Sequence, residues 1–177
     1  MIIGGLQKFT LIDFPGRISA TVFLSGCNFR CPWCYSKELV MPQEIKKHPK
    51  ISEKDFFDFL KLRKGTLEGI VVCGGEPTIN NDLPEFIKKI KKLGYAVKLD
   101  TNGSNPRMLE NLLDKKLVDY VAMDIKAPKE KYEKLAGKKV SVKNIDESIS
   151  ALLALSLRNN REDKIGYEFR TTQAFEV

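Results

Sequence analysis

The sequence predicts an α/β fold: an open, partial (β/α) barrel of about five to six parallel strands with helices on its outer face. Three observations carry this expectation. Apolar, β-branched runs alternate with segments of helical periodicity, which is the pattern of a parallel sheet with right-handed crossovers. The unusual residues collect just after those runs rather than within the helices. Finally, 177 residues hold about five such units, whereas a closed eight-unit barrel takes roughly 250 residues.

The first run is ISATVFLS at 18–25, ending at Gly26. It reads as a buried strand feeding a loop. After a connecting stretch with Pro42 and Pro49, Ser52 precedes EKDFFDFLKLRK, where acidic residues occupy the first turn and Phe56, Phe59 and Leu60 repeat at helical spacing; this predicts a capped helix. LEGIVVCGG at 67–75 is the second strand. DLPEFIKKIKKLG at 82–94 places Leu83, Phe86, Ile87, Ile90 and Leu93 on one face, with Gly94 as its stop. YAVKLDTNG (95–103) and DYVAMDIKA (119–127) are strands three and four, with a helix around 106–117 between them. A short helical piece near KEKYEKLAG, a longer helix across 144–158 and a fifth strand from residue 165 complete the order. No internal repeat, linker or low-complexity segment interrupts residues 1–177, so one domain is expected, shortened at its C-terminus.

The chain is 42% hydrophobic and 30% charged, and no stretch approaches the ~18–20 apolar residues that span a bilayer. The N-terminus lacks the order of a secretory signal, so a cytoplasmic protein without a membrane partner is expected. Thirty Lys plus Arg against 23 Asp plus Glu gives +7. The lysines are spread over helical segments (KKIKK at 88–92, DKKL at 114–117) without aromatics placed for base stacking, so they read as solvated faces and no nucleic acid is expected. Four cysteines, three of them within residues 27–34, are not a disulfide framework.

Ligands of parallel α/β proteins gather beyond the carboxyl ends of the strands. There the sequence places Cys27 after strand one, Gly74 to Pro77 after strand two, Asp100 to Gly103 at strand three, Asp124 and Lys126 at strand four and Arg170 near strand five. Core packing asks for nothing specific at these positions; one binding site accounts for all five. Cys27-x3-Cys31-x2-Cys34 offers three thiolates from one loop, enough for three irons of a cubane cluster and one open corner. The spacing is not that of zinc ribbons, and His48, the single histidine, lies beyond Pro42; by themselves the three cysteines leave cluster, zinc and structural readings open.

CNFRCPWC together with GGEP resembles the radical S-adenosylmethionine (SAM) superfamily. GGLQKFTLIDFPGRISATVFLSGCNFRCPWC, GGEPT, DTNGS, DIKAPKEKYEKLAG and YEFRTT, in that order, resemble the activating proteins of anaerobic ribonucleoside-triphosphate reductase, through Thr172. The resemblance implies that Cys27, Cys31 and Cys34 hold a 4Fe-4S cluster whose open iron is chelated by SAM, and that one electron then yields methionine and a 5'-deoxyadenosyl radical. It implies SAM contacts from Trp33, from Gly74 and Gly75 through close backbone approach, from Glu76 to the methionine ammonium, and from Asn102 to the ribose. Pro77 would fix the turn, Lys126 would neutralise the SAM carboxylate and Arg170 would meet ribose or carboxylate. Similar glycyl-radical activases hold a monovalent cation beside that carboxylate, and the matching positions here are Asp100, Thr101 and Asp124. Cys73, inside an apolar strand, reads as a small buried residue rather than a fourth ligand; His48 is assigned no role.

Two departures stand out. Tyr35-Ser36-Lys37 replaces the family's frequent His-Asn-Pro, and the chain closes with QAFEV where relatives continue, which would leave strand five an uncovered edge. The expected activity is generation of a glycyl radical on anaerobic ribonucleotide reductase or another glycyl-radical enzyme, with a flavodoxin or ferredoxin as electron donor. The alternatives are a radical SAM enzyme acting on a small molecule or modified base, and a degenerate non-catalytic relative.

Overall fold

The computed structural model describes residues 1–158 and 164–171; Thr172 and the QAFEV ending lie outside the described residues. Six strands form one sheet in the order in which they occur: β1 (Ile3–Thr10), β2 (Ser19–Leu24), β3 (Gly69–Gly74), β4 (Ala96–Thr101), β5 (Tyr120–Asp124) and β6 (Gly166–Arg170). β2 to β6 are the five strands expected from the sequence, and every neighbouring pair among them is parallel. Sequential order with parallel pairing is what repeated βα units with one handedness of crossover produce.

The addition is β1, which pairs antiparallel with β2, for example Gln7 opposite Thr21. Its sequence, IGGLQKFT, lacks the continuous apolar run of the other strands because it lies at the sheet edge with Gln7, Lys8 and Phe9 exposed. The connection between β1 and β2 carries no helix, too little chain for the crossover that parallel pairing needs, so the strands must run antiparallel.

Helices α1 (Lys37–Val40) and α2 (Pro42–Lys47) occupy the stretch read as a connection, with Pro42 at the first position of α2, where its missing N–H is harmless. In α3 (Glu53–Leu62) the Ser52 hydroxyl accepts the Asp55 N–H at 3.0 Å, which is the cap the sequence predicts. α4 (Leu83–Lys92), α5 (Pro106–Asp114), the short α6 (Tyr132–Ala136) and α7 (Val142–Arg158) follow as expected.

Alternation along the strands divides the sheet into two chemically different faces. Val22 and Leu24, Ile70 and Val72, Val97 and Leu99, and Val121 and Met123 join Phe56, Leu60, Phe86, Ile87, Ile90, Leu109, Leu112 and Leu152 of the helices in one buried cluster. The other face carries Thr21, Cys73, Lys98, Asp100, Asp124, Glu168 and Arg170. The helices therefore supply the apolar core on one side, and polar side chains are left to the concave side. Among the described residues no helix is long and apolar enough to cross a membrane.

Candidate functional site

At the carboxyl ends of the parallel strands lies a cavity of about 220 Å³. Its walls include Cys27, Cys31, Trp33 and Cys34 from the loop after β2; Cys73, Gly74, Gly75 and Glu76 from the end of β3; Asp100, Thr101 and Asn102 from β4; Asp124 and Lys126 from β5; and Arg170 from β6. Thirteen of the fourteen residues singled out from sequence meet there. Pro77 is the exception: it is buried just behind, opening the 3-10 turn Pro77–Ile79. Tyr35, at the departure from the family pattern, also borders the cavity and is 98% exposed.

Backbone contacts set the register between the β3 end and the cysteine loop. The Gly75 N–H donates to the Leu24 carbonyl at 2.8 Å and the Glu76 N–H to the Gly26 carbonyl at 2.7 Å. Gly74 has φ +125°, and a Cβ there would lie 2.3 Å from the Leu24 backbone; one at Gly75 would lie 2.0 Å from the Gly26 carbonyl oxygen. The two glycines are needed because the chain itself, one residue before Cys27, fills the space a side chain would take.

Glu76 ties the strand ends together. It is 1% exposed. Oε1 accepts the Thr78 N–H (3.0 Å), the Thr78 hydroxyl (2.6 Å) and the Thr101 hydroxyl (2.7 Å), and Oε2 accepts the Asn102 N–H at 2.6 Å. Burial pushes this carboxyl above its ordinary range, and the donors pull it back. All four of these donors belong to the chain itself. Asn102 is engaged likewise: its amide donates to Asn28 Oδ1 at 3.0 Å and accepts the Ser104 N–H at 2.9 Å. Asn28 and Ser104 close this link with a 2.8 Å bond between them, joining the cysteine loop to the β4 end.

α6 holds the loop from its other side. The Arg30 N–H donates to the Ala136 carbonyl at 2.8 Å. Phe29 meets buried Tyr132 edge to face at 6.5 Å, and the Tyr132 hydroxyl accepts the Lys126 N–H at 3.3 Å. Burial raises the Cys27 thiol to about 11, reinforced by Glu76, Cys31 and Cys34, and burial also raises Cys31. Such thiols stay protonated near neutrality unless a metal takes the proton's place. Cys73, deeper on β3, is pushed up to about 12 by burial and by Asp100.

The β4 to β6 wall is an ion-pair chain. Arg170 bridges two carboxylates, with Nη2 2.9 Å from Asp100 and Nε 3.4 Å from Asp124. Lys126 pairs with Asp124 at 2.7 Å, and Lys98, only 1% exposed, pairs with Asp100 at 2.6 Å and lies 3.9 Å from Glu168. Burial works against the Arg170 charge, but Asp100, Asp124 and Glu168 outweigh it and raise the guanidinium further.

Residues 21–165 match the family described as the Radical SAM superfamily, well over half of the chain. The chain belongs to that superfamily. Radical SAM proteins use a 4Fe-4S cluster and S-adenosylmethionine. A Methanocaldococcus jannaschii protein, provisionally named a glycyl-radical enzyme activating enzyme, is 34% identical over 173 residues, covering 97% of this chain and 68% of its own length. The 7-carboxy-7-deazaguanine synthase of Aquifex aeolicus is 35% identical over 91 residues, covering 50% of this chain and 38% of its own. Among solved structures, native anSMEcpe with bound AdoMet superposes with a TM-score of 0.58 at 18% identity, over 82% of this chain and 41% of that one. The last likeness is one of fold.

The donor set fits the family's cluster. Three thiols face one cavity, yet among the described residues no group of three or more His, Cys, Asp or Glu draws together as the site of a single metal ion. A cubane separates its irons to different corners, so its thiolates do not have to converge on one point. At Asp100 and Asp124, the Arg170 guanidinium contacts both carboxylates, and the Thr101 hydroxyl donates to Glu76.

Several residues of the site went unnoticed in the sequence. Thr78 follows GGEP directly and was legible as part of that turn. Lys98 carried a signal too, as a lysine two residues before Asp100 inside an apolar strand. Asn28, Ser104, Glu168 and Tyr132 stand inside the motif phrases, but the contacts that show their roles, such as Asn28 with Ser104, Glu168 with Lys98 and Tyr132 with Phe29, join segments distant in sequence.

Proposed function

We propose that Cys27, Cys31 and Cys34 ligate a 4Fe-4S cluster in this cavity and that the protein is an activase directing radical chemistry at a glycine of anaerobic ribonucleotide reductase or a related glycyl-radical enzyme. Residues 1–177 act as one domain in this reading. The observation that carries the site is the convergence of three thiols and the β3 to β6 strand ends on one cavity. Support for the protein substrate comes from the 34% identity with the Methanocaldococcus jannaschii protein over nearly the whole chain.

With one electron from an external donor, the bound cluster and SAM would supply methionine and a 5'-deoxyadenosyl radical, and transfer of one hydrogen atom from the glycine Cα would give 5'-deoxyadenosine and the glycyl radical. The chain's part is placement and exclusion of water. The backbone at Gly74–Glu76, locked onto Leu24 and Gly26, would position the ligand's amino-acid end against the loop. Lys126 and Arg170 would offer positive charge to its carboxylate, Asn102 would meet its sugar, and Trp33 and the loop backbone would flank its base and shield the thiolates. Glu76 works as a positioning residue that keeps the β3 and β4 ends in register.

A second reading, radical chemistry on a small molecule or modified base, is favoured by the 35% identity with 7-carboxy-7-deazaguanine synthase over half of the chain. Anaerobic reconstitution with iron and sulfide, reduction, and addition of SAM with the reductase of the same organism separates the two. The activase gives 5'-deoxyadenosine together with a glycyl doublet in the electron paramagnetic resonance spectrum. SAM cleavage without that doublet defeats the protein-substrate reading, and zinc or no metal in the loaded protein defeats the site.

A further inference from the structure

The resemblance assigned a monovalent cation to Asp100, Thr101 and Asp124, and the geometry at those residues points elsewhere. Asp100 and Thr101 are successive residues of β4, so their side chains leave opposite faces of the strand. Thr101 turns its hydroxyl to Glu76 at 2.7 Å and accepts the Gly103 N–H at 3.1 Å, which commits it to the turn after β4. The two carboxylates lie on the same face of the sheet, Asp124 two residues beyond the Ala122 that stands opposite Asp100. What lies between them is a side chain of the third strand: Arg170 stands opposite Asp124 in the β5–β6 register and reaches Asp100 Oδ2 with Nη2 and Asp124 Oδ1 with Nε. The strand end bearing it is fixed, since the Ile125 N–H donates to the Arg170 carbonyl at 2.7 Å.

Charge balance agrees. The second oxygen of each carboxylate is already paired, Asp100 Oδ1 with Lys98 and Asp124 Oδ2 with Lys126, both from the chain. A hydrated monovalent ion would have to displace a guanidinium that is tethered, planar and held by two carboxylates at once, a geometry for which arginine is better suited than a point charge.

We propose that Arg170 is a covalently attached substitute for the cation: it joins Asp100 to Asp124 at the cavity wall, so that ligand binding here needs no added monovalent ion. The part of this inference that concerns SAM rests on the function proposed above; the part that concerns the ion does not.

The test uses the reconstituted holoprotein in potassium chloride and in choline chloride of equal ionic strength. SAM affinity of the wild type should agree within about twofold between the two salts. Arg170→Ala should bind SAM about 10- to 100-fold more weakly in choline, the scale of a lost charged hydrogen bond. It should recover in potassium or with added guanidinium, while Arg170→Lys stays ion-independent. Thallium(I) binding, followed by nuclear magnetic resonance without SAM, should be absent from the wild type and present in Arg170→Ala. A wild type that requires potassium or binds thallium at this wall overturns the proposal, as does Arg170→Ala that loses nothing or is rescued by neither ion. Should Arg170→Ala not fold, the wild-type and Arg170→Lys measurements decide alone. If no form binds SAM, the functional reading fails and the thallium result still judges the ion.

Discussion

Replacing Glu76 by Gln tests whether this buried carboxylate holds the rim together or meets the ligand. Four donors converge on it, three on Oε1 and the Asn102 N–H on Oε2. An amide keeps one acceptor, so its least disruptive placement leaves Oε1 as oxygen and turns the NH2 toward Asn102. That removes one hydrogen bond to a charged group, worth about 1.5–3 kcal/mol, and sets two donors against each other in a buried site, for a total of about 2–4 kcal/mol. Against a typical domain stability of about 5–15 kcal/mol the loss is large and should appear as a lower urea midpoint with an unchanged slope. SAM affinity should fall with it, because the β3 and β4 ends lose their common anchor. A stability within about 0.5 kcal/mol of wild type, the range of a neutral surface change, would refute the clamp. If SAM affinity fell while stability held, the carboxylate would belong to the ligand ammonium instead.

The raised thiols make a pH prediction for the iron-free protein. Cys27 and Cys73 stand near 11 and 12 against an ordinary 9.0, so the folded state holds their protons more tightly than the unfolded state; this stabilisation is complete below pH 9 and lost as pH rises toward 12. Cys27 alone corresponds to about 2–3 kcal/mol, and urea midpoints should fall accordingly across that range; a flat profile would contradict the assigned burial. Loading with iron and sulfide should remove the Cys27 part, since a metal-bound thiolate has no proton to lose. Cys31→Ala should lose the charge-transfer absorbance of the cluster and its full iron content, whereas Cys73→Ala should keep both; equal loss in the two would make Cys73 a ligand. Exposed Lys134, Lys138 and Lys139 belong to and follow α6, the segment pinned to the cysteine loop through Arg30. Changing all three to Gln should slow cluster reduction by an acidic flavodoxin about tenfold at low salt and flatten its salt dependence, with reduction by methyl viologen unchanged. The same exchange at Lys64, Lys92 and Lys115, near the opposite ends of the strands, should do neither.

What the sequence made legible follows the range of the forces involved. Five parallel strands, the Ser52 cap and the rim positions of the cysteines and GGEP were readable because each depends on neighbours within a few residues: an apolar run, a hydroxyl three residues before an N–H, a turn after a strand. β1 was hidden because an edge strand needs no continuous apolar stretch, and α1 because four residues carry no periodicity. The site's wiring was hidden for a different reason. Glu76, Asn102 and Arg170 were singled out as polar groups near a ligand, and all three line or close the cavity, yet their observed bonds run to Thr101, Asn28 and Asp100, on other strands and loops.

That difference bears on how a radical enzyme of this architecture is built. Buried polar groups are stable only when their partners are supplied, and a cavity that must receive a charged ligand cannot leave those partners to the ligand alone. Here the chain answers its own demands first: Glu76 with four donors, Asp100 with Lys98 and Arg170, Asp124 with Lys126 and Arg170. The concave wall is thus held by the chain's own bonds, and in the function proposed above this would leave backbone atoms and the outward edges of anchored groups to meet a ligand. Preorganisation of this kind places the burden of specificity on strand register. Gly74 and Gly75, which leave room for the Leu24–Gly26 backbone, therefore constrain the site as well as the cysteines do.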